Sequence, residues 1–356
     1  MGLEQRLTAL WQGPRPTWAA NALRPLSWLY GGLAALHPWL YTKGWRQVAH
    51  APRPLIVVGN LVAGGAGKTP TVMAIIELLR GMGHQPGVLS RGHGRRGSGL
   101  IDVTRSASAD AVGDEPLLIH LRSGAPVMVG ADRAAAAQAL CRAHPELTVL
   151  VADDGLQHHR LARDIEVLVF DDRGIGNGLR LPAGPLRQGL PTALTATQLV
   201  LYTGGRRSTP LPGHLGRRSV TGVVPLADWW AGHAADRSAK ESGDGFAAVR
   251  GRPLLAAAGL AQPQAFFAML QAEGLQVQPL PLPDHARFDP LPWPADTADV
   301  VLTEKDAVKL RPEAVGSTRV WVAPLDFRPD AGFAGALRAL CERLAPTRAP
   351  SRRLPR

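Results

Sequence analysis

Lys68 and Thr69 close a glycine-rich run, Val62-Ala63-Gly64-Gly65-Ala66-Gly67. Free backbone, an ammonium and a hydroxyl in that order are suited to a nucleotide polyphosphate. Successive N–H groups of such a loop, with the positive end of a following helix, cradle phosphate oxygens. The lysine then places a point charge on the β- and γ-phosphates, and the threonine offers its hydroxyl to Mg²⁺. The strict pattern G-x-x-x-x-G-K-[ST] wants glycine at 62, where this chain has Val62; Gly64 and Gly65 supply the freedom instead. A second constellation is Leu147-Thr148-Val149-Leu150-Val151-Ala152-Asp153-Asp154-Gly155. An apolar strand ending in a carboxylate downstream of a phosphate loop is the Walker B pattern, which makes Asp153 a metal residue beside Thr69. Gln157-His158-His159-Arg160 follows with donors near that end. Zinc is disfavoured there, because adjoining histidines project differently.

These residues need a strand, a turn and a helix to position them, and the flanks provide all three. Leu55-Ile56-Val57-Val58 reads as a buried strand, and Thr71 to Leu79 carries helical apolar spacing. Pro86 to Ser90 is a second strand, which runs into a loop with Arg91, Arg95 and Arg96. Loops leaving the carboxyl ends of parallel strands hold ligands in open α/β sheets, although a merely solvated basic loop reads equally well. Gly113-Asp114-Glu115-Pro116 opens a helix, and acidic residues in a first turn complement the helix dipole. Pro126 to Gly130 is a strand that places Arg133 at its end, before an alanine-rich helix; Glu166 to Asp171 is another. Asn177 to Gln188 is a Pro/Gly-rich loop of the kind that shapes a binding site. Residues 204–252 read as linker or insertion, with a strand near 219–224. A second α/β unit begins at Pro253 with a strand to Leu260 and a helix over 263–273. It passes Asp284-His285 and the strand Val300-Val301-Leu302 into Thr303-Glu304-Lys305-Asp306, and closes near Trp321.

Length and composition bound the rest. A chain of 356 residues is expected to form two domains. The net charge of +11 suits nucleic acid, anionic lipid or a phosphorylated substrate and selects none of them by itself. Only five residues are lysine: 43, 68, 240, 305 and 309. Cys141 and Cys341 have no metal-ligand spacing and form no disulfide framework, which fits a reducing compartment. Five of the nine tryptophans lie in the first 45 residues. The apolar stretch from Pro25 to Thr42 is broken by Gly31-Gly32 and His37-Pro38, so it is marginal against the roughly 20 residues of a membrane span. Its aromatic rings, bracketed by Arg24, Lys43 and Arg46, favour an interfacial anchor over a helix packed on the body or a true span. A cleaved signal peptide is not expected. The organisation expected is a membrane-associated segment over 1–45, a nucleotide-binding core over 46–225, a smaller α/β domain over 226–345 and a basic tail, disordered, over 346–356.

Taken together, these motifs resemble the tetraacyldisaccharide 4'-kinase family of lipid A biosynthesis. The resemblance is carried by Gly59-Asn60-Leu61 with the loop through Pro70, Ser90-Arg91-Gly92, Gly113-Asp114-Glu115-Pro116, Asp153-Asp154-Gly155-Leu156-Gln157-His158 and Arg163-Asp164. Leu181-Pro182-Ala183-Gly184-Pro185-Leu186-Arg187, Asp284-His285 and Thr303-Glu304-Lys305-Asp306-Ala307 complete it, from about residue 20 to about residue 325. It implies a P-loop kinase with a mostly parallel sheet flanked by helices, a smaller C-terminal α/β domain and an N-terminal membrane-associated helix. ATP and Mg²⁺ are the implied cofactors, and the γ-phosphate goes to the 4'-hydroxyl of an acylated disaccharide 1-phosphate. Asp114 and His285 are the implied catalytic pair, contributed by different domains. Thr69 and Asp153 would hold the metal, with Glu115 behind them, and Arg133, Gln157, His158 and Arg187 would face the substrate or the phosphoryl group. The implied setting is the cytoplasmic face of the bacterial inner membrane, a monomer and no nucleic acid. Gln188 stands where the family usually has Glu, and His93 where it more often has Tyr. Gly259-Leu260-Ala261-Gln262-Pro263 is a looser form of a family Gly-Ile-Gly-Asn-Pro element. A P-loop GTPase or ATPase of metal or protein delivery would share the loop and Asp153 but needs a base-reading Asn-Lys-x-Asp; Thr303-Glu304-Lys305-Asp306 has no Asn and reads as a helix cap. A nucleotide-gated membrane adaptor would leave Asp114 and His285 without a task.

Overall fold

The computed structural model describes residues 7, 10, 11, 13–233, 245–284 and 286–344; His285 and the 346–356 tail lie outside the described residues. In chain order, Trp18–Ala22 (α1) and Arg24–Thr42 (α2) precede Leu55–Gly59 (β1), Lys68–Gly81 (α3) and Pro86–Ser90 (β2). Ile101–Asp102 (β3), Ala109–Val112 (α4), Asp114–Ser123 (α5) and Val127–Val129 (β4) follow. Next come Arg133–Ala143 (α6), Val149–Asp153 (β5), Ile165–Phe170 (β6) and Gln198–Tyr202 (β7). The chain continues through His214–Val220 (β8), Val224–Pro225 (β9), Leu226–Ala231 (α7), Leu254–Ala258 (β10), Pro263–Ala272 (α8) and Val277–Pro281 (β11). The last elements are Asp299–Thr303 (β12), Glu304–Ala307 (α9), Arg319–Ala323 (β13), Leu325–Pro329 (β14) and Ala331–Glu342 (α10).

Two compact units result. One comprises Met1–Arg91, Asp132–Arg217 and Arg328–Arg356; the other comprises Gly92–Ala131 and Arg218–Phe327. The division is therefore not the sequential one expected, because Gly92–Ala131 clusters with the later part of the chain and α10 returns to the first unit.

In the first unit the strands run β8-β7-β6-β1-β5-β2. All five pairings are parallel. Such strands are covered on both faces, which is why β1 is apolar at consecutive positions and buried throughout. Across β1, Val58 is in register with Asp153 at the end of β5. The helix α3 buries Val72, Ile75, Ile76 and Leu79, the i, i+3, i+4, i+7 stripe, each side chain contributing about 1.5–3 kcal/mol. The helix α10 is capped by Asp330, which accepts from Phe333 N at 2.7 Å, and it buries Phe333, Leu337, Leu340 and Cys341. Only Ser27 and Gly31 of α2 are buried. Ser27 donates to Arg180 O at 2.8 Å and accepts from Ala183 N at 3.1 Å, and a Cβ at Gly31 would meet the Arg180 guanidinium. A narrow seam of small residues thus docks α2 and leaves its large apolar side chains outside. Among the described residues no helix is long and apolar enough to cross a membrane.

In the second unit the strands run β11-β10-β12-β13-β9, parallel except for β9. Pro279 and Pro281 fit β11 because it is an edge strand. The core gathers Phe246, Leu254, Phe266, Phe267, Leu270 and Val301. The β3–β4 pair is antiparallel. The 204–252 stretch is more than a linker. It holds β8, β9 and α7, and Trp229 is buried with its indole N–H on Glu304 at 2.9 Å. The strand expected near 219–224 is split, with β8 ending at Val220 and β9 beginning at Val224.

Candidate active site

Between β1 and α3 the chain makes the phosphate loop. Gly64 and Gly67 have φ of +94° and +83°, the left-handed region that glycine enters at no steric cost. Gly67 caps α3 without a side-chain hydrogen bond, so the first-turn N–H groups stay available to an anion. The loop is held from several sides. Asn60, fully buried, donates to Gly64 O at 3.0 Å, and Thr203 donates to Ala66 O at 2.9 Å. Arg173 bonds Asp171 at 2.8 Å and also reaches Gly65 O. Val62, the departure from the strict motif, is buried and bridges Leu186, while Ala63 N donates to Pro185 O at 2.8 Å. The backbone at 62 and 63 therefore ties the loop to the Pro/Gly-rich segment.

Lys68 Nζ lies 3.3 Å from Asp154 Oδ2 and donates to Asn60 Oδ1 at 3.3 Å. Arg187 Nη1 reaches the same Asp154 oxygen at 3.4 Å. Asp154 is the one non-glycine residue with positive φ among those described, at 51°. Strained backbone of this kind concentrates at functional sites. Burial works to raise the Asp154 carboxyl, but Lys68 and Arg187 outweigh it and hold the group below the usual carboxylate range. Asp154 was not among the residues singled out from sequence; its neighbour Asp153 was, and the structure gives the charged cluster to Asp154.

The other expected residues collect around the same strand ends. Arg133 is buried and donates to Asp153 O at 3.1 Å, and burial lowers its guanidinium to about 10 against the pull of Asp153 and Asp154. Gln157 donates to Asn60 O at 3.2 Å. Burial, reinforced by Arg133, lowers the His158 imidazole, and its Nε2 is buried without a hydrogen-bond partner. Arg187 N donates to Leu61 O at 2.8 Å. Arg133, Gln157 and Arg187 are thus tied to the loop or to the Asp153-Asp154 turn.

The residues present fit Mg²⁺. Thr69 and Asp153 are buried oxygen donors at adjacent ends of α3 and β5, and Asp154 Oδ1 is a buried oxygen with no hydrogen-bond partner. Among the described residues no group of three or more His, Cys, Asp or Glu could hold a metal by itself.

In the second unit, Gly113, at φ +96°, leads into α5 and buries Asp114 at its first position. Asp114 Oδ1 accepts from Glu115 N at 3.0 Å. Glu115, expected near the metal, is paired with Lys305 at 3.7 Å. Lys305 also bonds Asp284 Oδ1 at 3.0 Å. Asp114 and the residues on either side of position 285 fall in the same unit. Thr303 accepts from Asp306 N at 3.2 Å, the helix cap expected of the Thr303-Glu304-Lys305-Asp306 run.

Comparison with known proteins fits this geometry. The family model described as tetraacyldisaccharide-1-P 4'-kinase matches residues 19–342. A tetraacyldisaccharide 4'-kinase of Methylibium petroleiphilum is 56% identical over 351 residues, covering 97% of this chain and 96% of the relative. One of Leptothrix cholodnii is 51% identical over 331 residues, covering 91% and 92%. The "apo" form of LpxK from Aquifex aeolicus, solved in complex with ATP, is similar with a TM-score of 0.70 at 24% identity, covering 90% of this chain and 99% of that one, a likeness of fold. None of these supports the metal- or protein-delivery NTPase. The match across nearly the whole chain shows that it belongs to the tetraacyldisaccharide-1-P 4'-kinase family.

Proposed function

We propose that the chain transfers the γ-phosphate of ATP to the 4'-hydroxyl of a tetraacyldisaccharide 1-phosphate, giving the 1,4'-bisphosphate. The observation that carries this reading is the Lys68–Asp154–Arg187 cluster beside the phosphate loop, two cations held on one carboxylate where polyphosphate charge arrives. Phosphoryl transfer asks the protein mainly for alignment and charge stabilisation. Lys68 exchanges Asp154 for β- and γ-phosphate oxygens. Thr69 and Asp153, with Asp154, would hold Mg²⁺, which when bound neutralises charge on the phosphates. Asp114 accepts the proton as the 4'-oxygen bonds to the γ-phosphorus and ADP departs, and His285 orients or tunes that carboxylate. Arg133, Gln157, His158 and Arg187 are the donors available to the transferring phosphoryl group or to the substrate's sugar and 1-phosphate.

The acceptor is a lipid, and α2 supports a peripheral place on the cytoplasmic face of the inner membrane. Trp28, Leu29 and Leu33 are 60% or more exposed, with Arg24, Lys43 and Arg46 exposed nearby. Aromatic and apolar chains bracketed by cations suit the headgroup level of an anionic bilayer. The test is transfer of label from γ-³²P-ATP to tetraacyldisaccharide 1-phosphate in detergent micelles. Label at the 4'-position is the expected product; ATP hydrolysis without labelled lipid would sink the substrate assignment.

A further inference from the structure

Two of the chain's five lysines lie on one short stretch, and their ammonium groups grip both sides of position 285. Lys305 Nζ bonds Asp284 Oδ1 at 3.0 Å, and Lys309 Nζ donates to Ala286 O at 3.2 Å and to Asp306 Oδ1 at 2.8 Å. Lys305 also reaches Glu115 Oε1 at 3.7 Å, and the Asp114 carboxylate adds to the negative field around its ammonium. Its side chain is only 18% exposed, so these attractions are weakly screened.

The stretch bearing the two lysines is itself anchored. Asp306 is fully buried and accepts from Gly259 N at 2.9 Å and Thr303 Oγ1 at 2.7 Å. Glu304, also buried, accepts from Arg122 Nη1 at 2.6 Å, Trp229 Nε1 at 2.9 Å and Leu325 N at 3.0 Å. Arg122 lies near the far end of α5, the helix that Asp114 begins. Glu304 therefore fixes one end of α5 while Lys305, the next residue, fixes the other. A surface ion pair would need none of this support and would contribute little.

We propose that Lys305 is a positioning residue for phosphoryl transfer, bracing the Asp114-Glu115 end of α5 against Asp284, with Lys309 holding Ala286. It acts through Asp114 and Asp284 and touches no substrate. The inference rests on the proposed role of Asp114 as proton acceptor. Near-attack geometry is sensitive to small displacements, so loosening the brace lowers turnover more than nucleotide affinity.

The experiment measures kcat, and KM for ATP, with the lipid acceptor in micelles for wild type, Lys305→Met, Lys305→Arg, Asp284→Asn and Lys305→Met/Asp284→Asn, beside Asp114→Ala. Lys305→Met is expected to lower kcat about thirtyfold or more with KM for ATP within twofold, and Lys305→Arg to recover at least a tenth of wild-type kcat. The double variant should be no slower than the slower single one, because both remove the same contact. Asp284→Asn cuts that contact from the other side, so the proposal stays testable should Lys305→Met not fold. An inactive wild type would overturn the function proposed above, and an active Asp114→Ala the base assignment. A dead Asp114→Ala beside a Lys305→Met with kcat within twofold of wild type, losses that multiply in the double variant, or no recovery by Lys305→Arg would overturn the brace alone.

Discussion

Asp154→Asn isolates one charge at the phosphate loop. Asparagine tolerates the left-handed backbone that Asp154 adopts at φ 51°, so the substitution removes charge with little added strain. At 3.3 Å from Lys68, with an effective dielectric constant of about 20, the gross Coulomb attraction is roughly 5 kcal/mol. The Asp154 side chain is 34% exposed, and solvent reduces the net value of such a pair to about 1 kcal/mol. Arg187, at 3.4 Å, adds a similar amount. Folding stability should therefore fall by about 2 kcal/mol. Binding of ATP should move the opposite way. In wild type the nucleotide must draw Lys68 off Asp154; in the variant that competitor is gone, and about 1 kcal/mol tightens ATP about fivefold. The assay is calorimetric titration of ATP in EDTA, which keeps divalent cations out of the comparison, alongside chemical denaturation. Equal or weaker ATP binding by Asp154→Asn under these conditions would refute the argument that Lys68 exchanges a carboxylate for phosphate.

Three further outcomes follow from the same structure. Lys68→Met should cut lipid phosphorylation at least about a hundredfold with the circular dichroism spectrum unchanged, since the loop backbone is held by Asn60, Thr203 and Pro185 and not by Lys68 alone; activity near wild type would contradict it. Replacing Trp28, Leu29 and Leu33 together by serine should weaken sedimentation with anionic phospholipid vesicles more than about tenfold, at about 1.5–3 kcal/mol per large apolar side chain buried in lipid, and leave ATP affinity intact; unchanged sedimentation would remove α2 from the membrane account. Burial first, then Arg163 and His37, lowers His159 to about 4, below its unfolded value near 6.5. Above pH 6.5 it contributes nothing; as pH falls from 6.5 to 4 the unfolded chain takes up a proton that the folded one resists, so stability drops through that window and levels off below it. The gross figure of roughly 3 kcal/mol shrinks to about 1 for a partly exposed ring, and His159→Gln should flatten the fall in urea-measured unfolding free energy between pH 7 and 4.5 by that amount.

The phosphate loop, the parallel strands on either side of it, the acidic first turn of α5 and the Thr303 cap of α9 were legible because each is a local matter of apolar runs, left-handed glycines, first-turn carboxylates and a capping hydroxyl. What was not legible depended on distance in sequence. Nothing near Gly92–Ala131 signals that it clusters with Arg218–Phe327. The strand β11 was hidden because Pro279 and Pro281 argue against a strand until its edge position is known. Asp153 and Asp154 are adjacent and chemically alike; which one meets Lys68 is decided by a turn into positive φ, for which the following Gly155 was the only local hint. Lys305 was visible as a rare lysine in a capping motif, but its partners Glu115 and Asp284 come from two other segments.

The most direct measurement of the central claim is product analysis by mass spectrometry after incubating ATP and tetraacyldisaccharide 1-phosphate with wild type, Asp114→Ala and His285→Ala, with ATP binding measured in parallel. The account predicts a 1,4'-bisphosphate from wild type, at least about a hundredfold less from either variant, and ATP affinity within about twofold for all three. Bisphosphate formed by Asp114→Ala at a rate near wild type would contradict it, because the 4'-hydroxyl would then be losing its proton to some other group.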